Sequence, residues 1–210
     1  MARAFRFIRR AAGYELRIYV SLLRWLIRRP MVPAGAEPAG YAGVVQPLLW
    51  AFIAVSVVEL VVLHLVLPWP GVRLIADLLG VWGVIWMLGL LGAFTRYPHL
   101  VADQALRIRR GFDLDLVVPW DAVARVVVRE RGRDKARGLQ VDQSDGATVV
   151  HVVMASRTNL DLTLRRPLVV RLPRGEVLVD EVRLFADEPG DLAGRIWSRI
   201  ARGDGVPAGR

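Results

Sequence analysis

Five basic residues at alternate positions, Arg129, Arg131, Arg133, Lys135 and Arg137 in RERGRDKAR, carry the clearest spacing signal for binding in this chain. In an extended strand every second side chain projects to the same side, so the five would form one cationic edge. Such an edge suits anionic lipid head groups or an acidic protein partner. Glu130 and Asp134 lower the local charge, and a solvated hairpin tip around Gly132 is the alternative reading. No aromatic residue interleaves with the run, as stacking on bases would require, so nucleic acid is not an expected partner.

A second basic set is Arg3, Arg6, Arg10, Arg17, Arg24 and Arg28. On a continuous helix these fall on a stripe about 60° wide, with Phe5, Ile8, Leu16, Tyr19, Leu22, Leu23 and Trp25 among the residues covering the rest. A narrow arginine stripe on an apolar helix fits the bilayer interface, with guanidinium groups at phosphate level and the apolar side sunk below. A helix packed on the protein's own domain is the second reading. A crossing would have to insert Glu15, Arg17 and Arg24, and a signal peptide would carry the same charges inside its apolar region.

The third set is Glu59 and His64, which interrupt an otherwise apolar run. An ionisable residue at that depth marks a helix-to-helix contact, an assembly contact or a proton path. Their five-residue separation turns them about 140° apart on a helix, so they do not share a face.

Catalytic patterns are missing. The only lysine follows Asp134, so there is no phosphate-binding G-x-x-x-x-G-K loop, and there is no H-E-x-x-H or G-x-S-x-G. With no cysteine, thiolate chemistry, disulfides and zinc-thiolate sites are excluded. His64, His99 and His151 are too dispersed for a ligand set, and His99 after Tyr97-Pro98 reads as an interfacial residue. The acid pairs Asp113/Asp115, Asp180/Glu181 and Asp187/Glu188 read as turn, edge and cap residues. The expectation is a protein without catalytic activity, cofactor or metal.

The elements that must position these residues follow from charge and hydropathy. The chain of 210 residues has 29 Lys and Arg against 20 Asp and Glu, a net +9, yet 54% of it is apolar. Eight arginines against Glu15 put +7 in residues 1–29, which reads as a membrane address more than a substrate preference. Residues 30–47 hold four Pro and three Gly and read as a linker. Residues 48–67 and 74–95 are each long and apolar enough to cross a hydrocarbon core about 30 Å thick, and the Pro68-Trp69-Pro70-Gly71 turn joins them as an antiparallel hairpin spanning 48–95. Ala76/Gly80 and Gly89/Ala93 give the second stretch small-residue faces for close helix packing. Arginine flanks the hairpin on both sides, while its turn holds only Arg73, so both termini are expected in the cytoplasm.

From His99 the period changes to two. Runs at 106–110, 114–118, 123–130, 148–154, 159–164, 168–172 and 177–185 read as about seven strands. Residues 189–202 read as a helix with Leu192, Ile196, Trp197 and Ile200 on one face and Asp187 as N-cap, and 204–210 as a flexible tail. The expected class is a membrane α + β protein: a basic interfacial helix (1–29), a transmembrane hairpin, and a cytoplasmic β sandwich or barrel (99–203) capped by one helix.

LVADQALRIRRGFDLDLVVPWDAVARVVV (Leu100–Val128), after a membrane hairpin, resembles the pleckstrin-homology-like (PH-like) domains of bacterial membrane-anchored proteins. The hairpin together with NLDLTLRRPLVVRLPRGEVLVDEVRLFADEPGDL (Asn159–Leu192) is similar to uncharacterised actinobacterial two-span membrane proteins. The resemblance implies a partly open sandwich capped by a helix, acting as a binding module for lipids, peptides or proteins in the bacterial cell membrane. Phosphoinositide-binding members hold head groups with basic residues at the first strand-to-strand turn. Here Asp103-Gln104-Ala105 stands at that turn, and no binding residue is carried over. Anionic lipids and a protein partner are the expected partners, with homo-oligomerisation open.

Overall fold

The computed structural model describes residues 13, 15–16, 18–23, 25–27, 32–111, 114–133, 138–144, 146–172 and 175–203. The stripe Arg3, Arg6, Arg10, Arg17, Arg24 and Arg28 lies outside them, as do Lys135, Arg137, Asp113 and the tail 204–210. The chain divides into two compact units, one of Met1–Pro30 with Val45–Arg96 and one of Met31–Val44 with Tyr97–Arg210.

In the first unit, α1 (Gln46–Val66) and α2 (Pro70–Arg96) are helices of 21 and 27 residues. Proline sets both limits of the hairpin. It stands in the first turn of α1 and opens α2, where a missing N–H costs nothing, and Pro98 forbids helix beyond Tyr97. At 1.5 Å per residue the helices are roughly 31 and 40 Å long. Both are long and apolar enough to cross a membrane, with mean hydropathies of 2.4 and 2.1. Gly80 lets Leu60 of α1 close in: a Cβ at position 80 would lie 2.7 Å from the Leu60 Cδ1.

The described N-terminal residues are helical and pack on α2. Ile18 and Ser21 are buried, and a Cβ at Gly89 would meet Ile18 while one at Gly92 would meet Ser21 and Trp25. Tyr19 accepts the Trp82 indole N–H at 2.7 Å, and Arg96 donates to the Trp25 carbonyl at 3.3 Å. The pairs 18/89, 21/92 and 25/96 keep a constant offset, so residues 18–25 run parallel to the end of α2. One face of this stretch therefore meets protein, Ile18 and Ser21 packing where two glycines of α2 leave room for another backbone, while Leu16, Leu23, Leu26 and Ile27 are exposed. Gly89 thus serves the N-terminal segment.

The second unit holds nine strands and the helix α3 (Pro189–Gly203). β1 (Glu37–Ala39), β2 (His99–Val101), β3 (Ala105–Arg110) and β4 (Leu114–Pro119) form an antiparallel meander. β5 (Val123–Gly132), β6 (Leu139–Ser144), β7 (Ala147–Val152), β8 (Arg157–Leu172) and β9 (Gly175–Leu184) form a second sheet, ordered β5-β8-β9-β7-β6, with β7 and β9 parallel. Leu106, Ile108, Leu116 and Val118 of the first sheet join Leu160, Leu162, Val182 and Leu184 of the second in one core, closed by Leu192, Ile196 and Ile200 of α3.

Three expectations change here. β1, β2 and β6 lie outside the expected strands, and the runs at 159–164 and 168–172 are one strand with an irregularity between Thr163 and Leu168. Residues 37–39 are no linker: Glu37, Pro38 and Ala39 pair with Val101, Leu100 and His99, so the hairpin is inserted between two neighbouring strands. Pro38 is tolerated because β1 is an edge strand. Trp197 leaves the buried face of α3, being 45% exposed where Leu192 and Ile196 are fully buried.

Candidate functional site

The register of the second sheet places Val127, Asp161, Arg183, His151 and Gln140 in one row across all five strands. Strict alternation decides which face they take: Leu160, Leu162, Val182, Leu184, Val150 and Val152 turn into the core, so their polar neighbours take the opposite face. That face is nevertheless largely covered. Asp161 and Gln140 are buried and His151 is 1% exposed.

Ion pairs cover it. Arg131 donates to the Asp161 carboxylate through Nε at 3.1 Å and Nη2 at 2.9 Å. Arg183 binds Glu181, two residues before it on β9, through Nε at 2.6 Å and Nη2 at 3.2 Å, and its Nε lies 3.7 Å from Asp161. Arg133 donates to the Gln140 amide oxygen at 3.0 Å and to the Asp142 carboxylate. His151 Nε2 lies 3.5 Å from Asp142 Oδ2, while its buried Nδ1 has no hydrogen-bond partner. Burial first, then the Arg133 and Arg183 cations, pull His151 down to about 4, so the ring is neutral near pH 7. Arg133, Asp142, Gln143, Val149, His151 and Arg183 line a pocket of about 690 Å³ on this face.

The expected cationic edge is therefore corrected. Arg131 and Arg133 are neutralised by Asp161 and Asp142, carboxylates from other strands, while Arg129 is exposed. Spacing alone could not show this, since Arg131 and Asp161 meet through the β5–β8 pairing. Sequence patterns did not point to His151, Asp142, Asp161 or Arg183 as site residues. The signal was present in the alternation TNLDLTL (158–164), where an acid stands on the polar phase of a strand whose other phase is Thr158 followed by three leucines.

No family model, curated protein or solved structure matches the chain. The functional reading therefore rests on geometry. Among the described residues no three His, Asp or Glu side chains cluster as a metal site requires.

In the hairpin, Glu59 is exposed and lines a groove of about 350 Å³ with Ser56, Ala76, Gly80, Gly83 and Met87. His64 lines a different groove and its Nδ1 lies 2.8 Å from Asp77 Oδ2, a partner that its position in the sequence did not suggest.

His99 is corrected as well. It is 1% exposed, receives the Arg109 N–H on Nδ1 at 3.0 Å and sits with Nε2 2.9 Å from the Phe185 carbonyl, so the neutral Nε2–H form satisfies both nitrogens. Desolvation is the main cause holding its pKa down at about 4, with the Arg109 charge adding to it and the Phe185 bond opposing. The unfolded state, near 6.5, therefore binds more protons below that pH. His99 stability is complete above pH 6.5 and is lost as pH falls towards 4, amounting to about 2 kcal/mol between pH 7 and 5. Urea titrations of the protein in mild detergent at the two pH values should show that loss, with His151 adding to it.

Proposed function

We propose that this chain is a non-enzymatic integral membrane protein of the bacterial cell membrane. In this reading the hairpin crosses the bilayer twice, and the β unit is a PH-like protein- or lipid-binding module at the cytoplasmic face. The supporting observation is the exposure of the two helices: only 6% and 11% of their most apolar windows are buried within the protein. Val55, Val58, Leu65, Leu78 and Leu79 are each more than 60% exposed, a density of apolar surface that soluble proteins do not leave in water. The arginine asymmetry across the hairpin supports the orientation. Two sheets around one core, closed by α3, support the PH-like description, although three unexpected strands and the parallel β7–β9 pair go beyond it.

Reporter fusions test the topology. A cytoplasm-active reporter after Gly203 should work and an externally active one should stay silent; the reverse would overturn the orientation. A reporter before Met1 addresses the N-terminal segment separately. Cytoplasmic activity there fits a helix that does not cross, and external activity would make it a third span.

A second reading, an accessory subunit of a transporter or envelope-assembly complex, draws on Glu59. An exposed carboxyl on a span, beside the open Gly83, invites a donor from a neighbouring helix. Under this reading Glu59→Gln reduces the size of the complex recovered in mild detergent.

A further inference from the structure

An outer strand of a sheet offers unpaired N–H and C=O groups to any extended chain, and the two sheets here end on β1, β4, β5 and β6. The first three are blunted. β1 has three residues and contains Pro38. In β4 the Trp120 N–H donates to the Gln104 carbonyl, an alternation that turns Asp115, Val117 and Pro119 outward, and Pro119 has no N–H. β5 is broken by register shifts at Val123/Arg125 and Val128/Arg131, and α3 packs against it. Among the described strands, β6 is the outer one with no proline, glycine, lysine or register shift.

Alternation also fixes which β6 groups face outward. The Val153 N–H donates to the Gly138 carbonyl at 2.8 Å, so these two residues form a hydrogen-bonded pair. Gln140/His151 and Asp142/Val149 repeat that pairing at every second position and spend their backbone groups on β7. The two-residue turn between Ser144 and Ala147 requires the same phase. Leu139, Val141 and Gln143 therefore aim N–H and C=O away from the sheet, where no described strand pairs with them. Their side chains take the core-facing phase, yet Val141 is 43% exposed.

This edge is complementary to itself. A two-fold axis at Val141 sets Val141 opposite Val141 of a second copy and Leu139 opposite its Gln143. All of these residues face outward, so each facing pair exchanges both bonds. On the other phase Asp142 faces Gln140 of the second copy, whose amide oxygen accepts from Arg133 at 3.0 Å. Each carboxylate thus lies near the arginine of the other copy. Moving the axis to Asp142 loses the Leu139 pair and sets two carboxylates directly opposite, which is destabilising. Moving it to Gln140 loses the Gln143 pair and brings the two arginines together.

We propose that β6 is a self-association edge, through which two copies of this chain pair antiparallel about Val141 and join their five-stranded sheets. The inference goes beyond the binding-module reading and does not rest on it.

The chain has no cysteine, so single introduced cysteines report the pairing. The test is mild oxidation of the full chain in mild detergent, read as disulfide-linked dimer on a non-reducing gel. Facing Val141 residues would have Cα atoms about 5.5 Å apart, within the span of a disulfide. The two Gln143 residues would lie four positions apart along the strands, roughly 13 Å, beyond its reach. Both side chains are exposed. Val141→Cys should therefore cross-link and Gln143→Cys should not, while a mixture of Leu139→Cys and Gln143→Cys chains should give the mixed dimer.

Val141→Pro should raise the dimer dissociation constant at least about tenfold, measured by light scattering, because it removes the central pair of bonds. The fold should survive, since the 141 N–H takes no part in the ladder to β7. Val141→Lys sets like charges face to face and should weaken the dimer as well, whereas Val141→Thr should keep it. Circular dichroism checks the fold of each variant. Equal cross-linking at 141 and 143 would overturn the proposal, as would a folded Val141→Lys protein that associates as tightly as the parent. A parent that stays monomeric and forms no cross-link at 141 would leave the edge to a strand of another protein and overturn it too. Glu59→Gln should leave the 141 cross-link unchanged, and its loss in that variant would place the association in the hairpin instead.

Discussion

A fragment beginning at Tyr97 should fail to fold, whereas residues 31–44 joined to 97–203 by a short turn in place of the hairpin should fold. The physical case lies in what the short stretch 37–43 contributes. β1 pairs with β2 along its whole length, and Arg195 and Arg199 of α3 reach back to it, Arg195 donating to the Pro38 carbonyl at 3.0 Å and Arg199 to Glu37 at 3.2 Å. Tyr41 is 2% exposed, lies against the His99 ring with centroids 4.8 Å apart, and accepts the Gly111 N–H on its hydroxyl at 2.6 Å. Gly111 turns the chain at φ 53°, a left-handed conformation that suits glycine. Asp187, expected as a helix cap, instead accepts the Gly43 N–H at 2.9 Å and a second bond from Ala42, and its own N–H goes to the Gly40 carbonyl at 2.8 Å. Burial pushes its carboxyl above the usual range even so.

Within the intact protein, Tyr41→Ala should cost about 3–5 kcal/mol, because it removes a buried aromatic ring and leaves the Gly111 N–H without its partner. Tyr41→Phe should cost roughly 1–3 kcal/mol, the share of the lost hydroxyl alone. Urea midpoints followed by circular dichroism measure both. If the Tyr97–Gly203 fragment unfolds cooperatively at the same urea midpoint as the joined 31–44/97–203 chain, the 31–44 segment is dispensable.

The second large effect concerns the ionic row. Asp161 is 6% exposed and stands between Arg131 and Arg183, so Asp161→Asn leaves the partly buried Arg131 guanidinium without its carboxylate and Arg183 with Glu181 alone. Breaking a buried pair from one side is costly, and roughly 3 kcal/mol of destabilisation is expected. Replacing all three residues together, Arg131→Met, Asp161→Leu and Arg183→Met, should recover most of that loss, since well-packed apolar groups need no countercharge. The comparison separates two roles. If the triple variant is less stable than Asp161→Asn alone, the pairs contribute more than their desolvation costs; if it is more stable than the parent, desolvation of the row outweighs its pairing.

Much of the architecture was legible along the chain because it depends on one-dimensional properties. An apolar run of about 20 residues interrupted by a Pro-x-Pro turn specifies a helical hairpin wherever it occurs, and α1 and α2 follow that pattern closely. The alternation from residue 106 onwards similarly set the polar and apolar phases of β3, β4, β8 and β9. Glu59 and His64 line separate grooves, as their angular separation required.

What the chain could not show in one dimension is which residues become neighbours. Three residues around Pro38 have no measurable period, and they become a strand only because β2 offers an unpaired edge about 60 positions later. His99 looked like a residue at a membrane exit until the Phe185 carbonyl and Tyr41 enclosed it. Arg131 and Arg133 looked free because their counterions lie on β8 and β6: the β5–β8 register brings Asp161 to Arg131, and the fold of the sheet brings Asp142 to Arg133. Likewise, an apolar helix face fits lipid or protein equally well, and the glycines at 89 and 92 decide that Ile18 and Ser21 meet α2. Local hydropathy determines element type because it acts within a few residues. Pairing, counterion choice and the burial of a histidine depend on contacts tens of residues apart, and those are settled only when the sheets close.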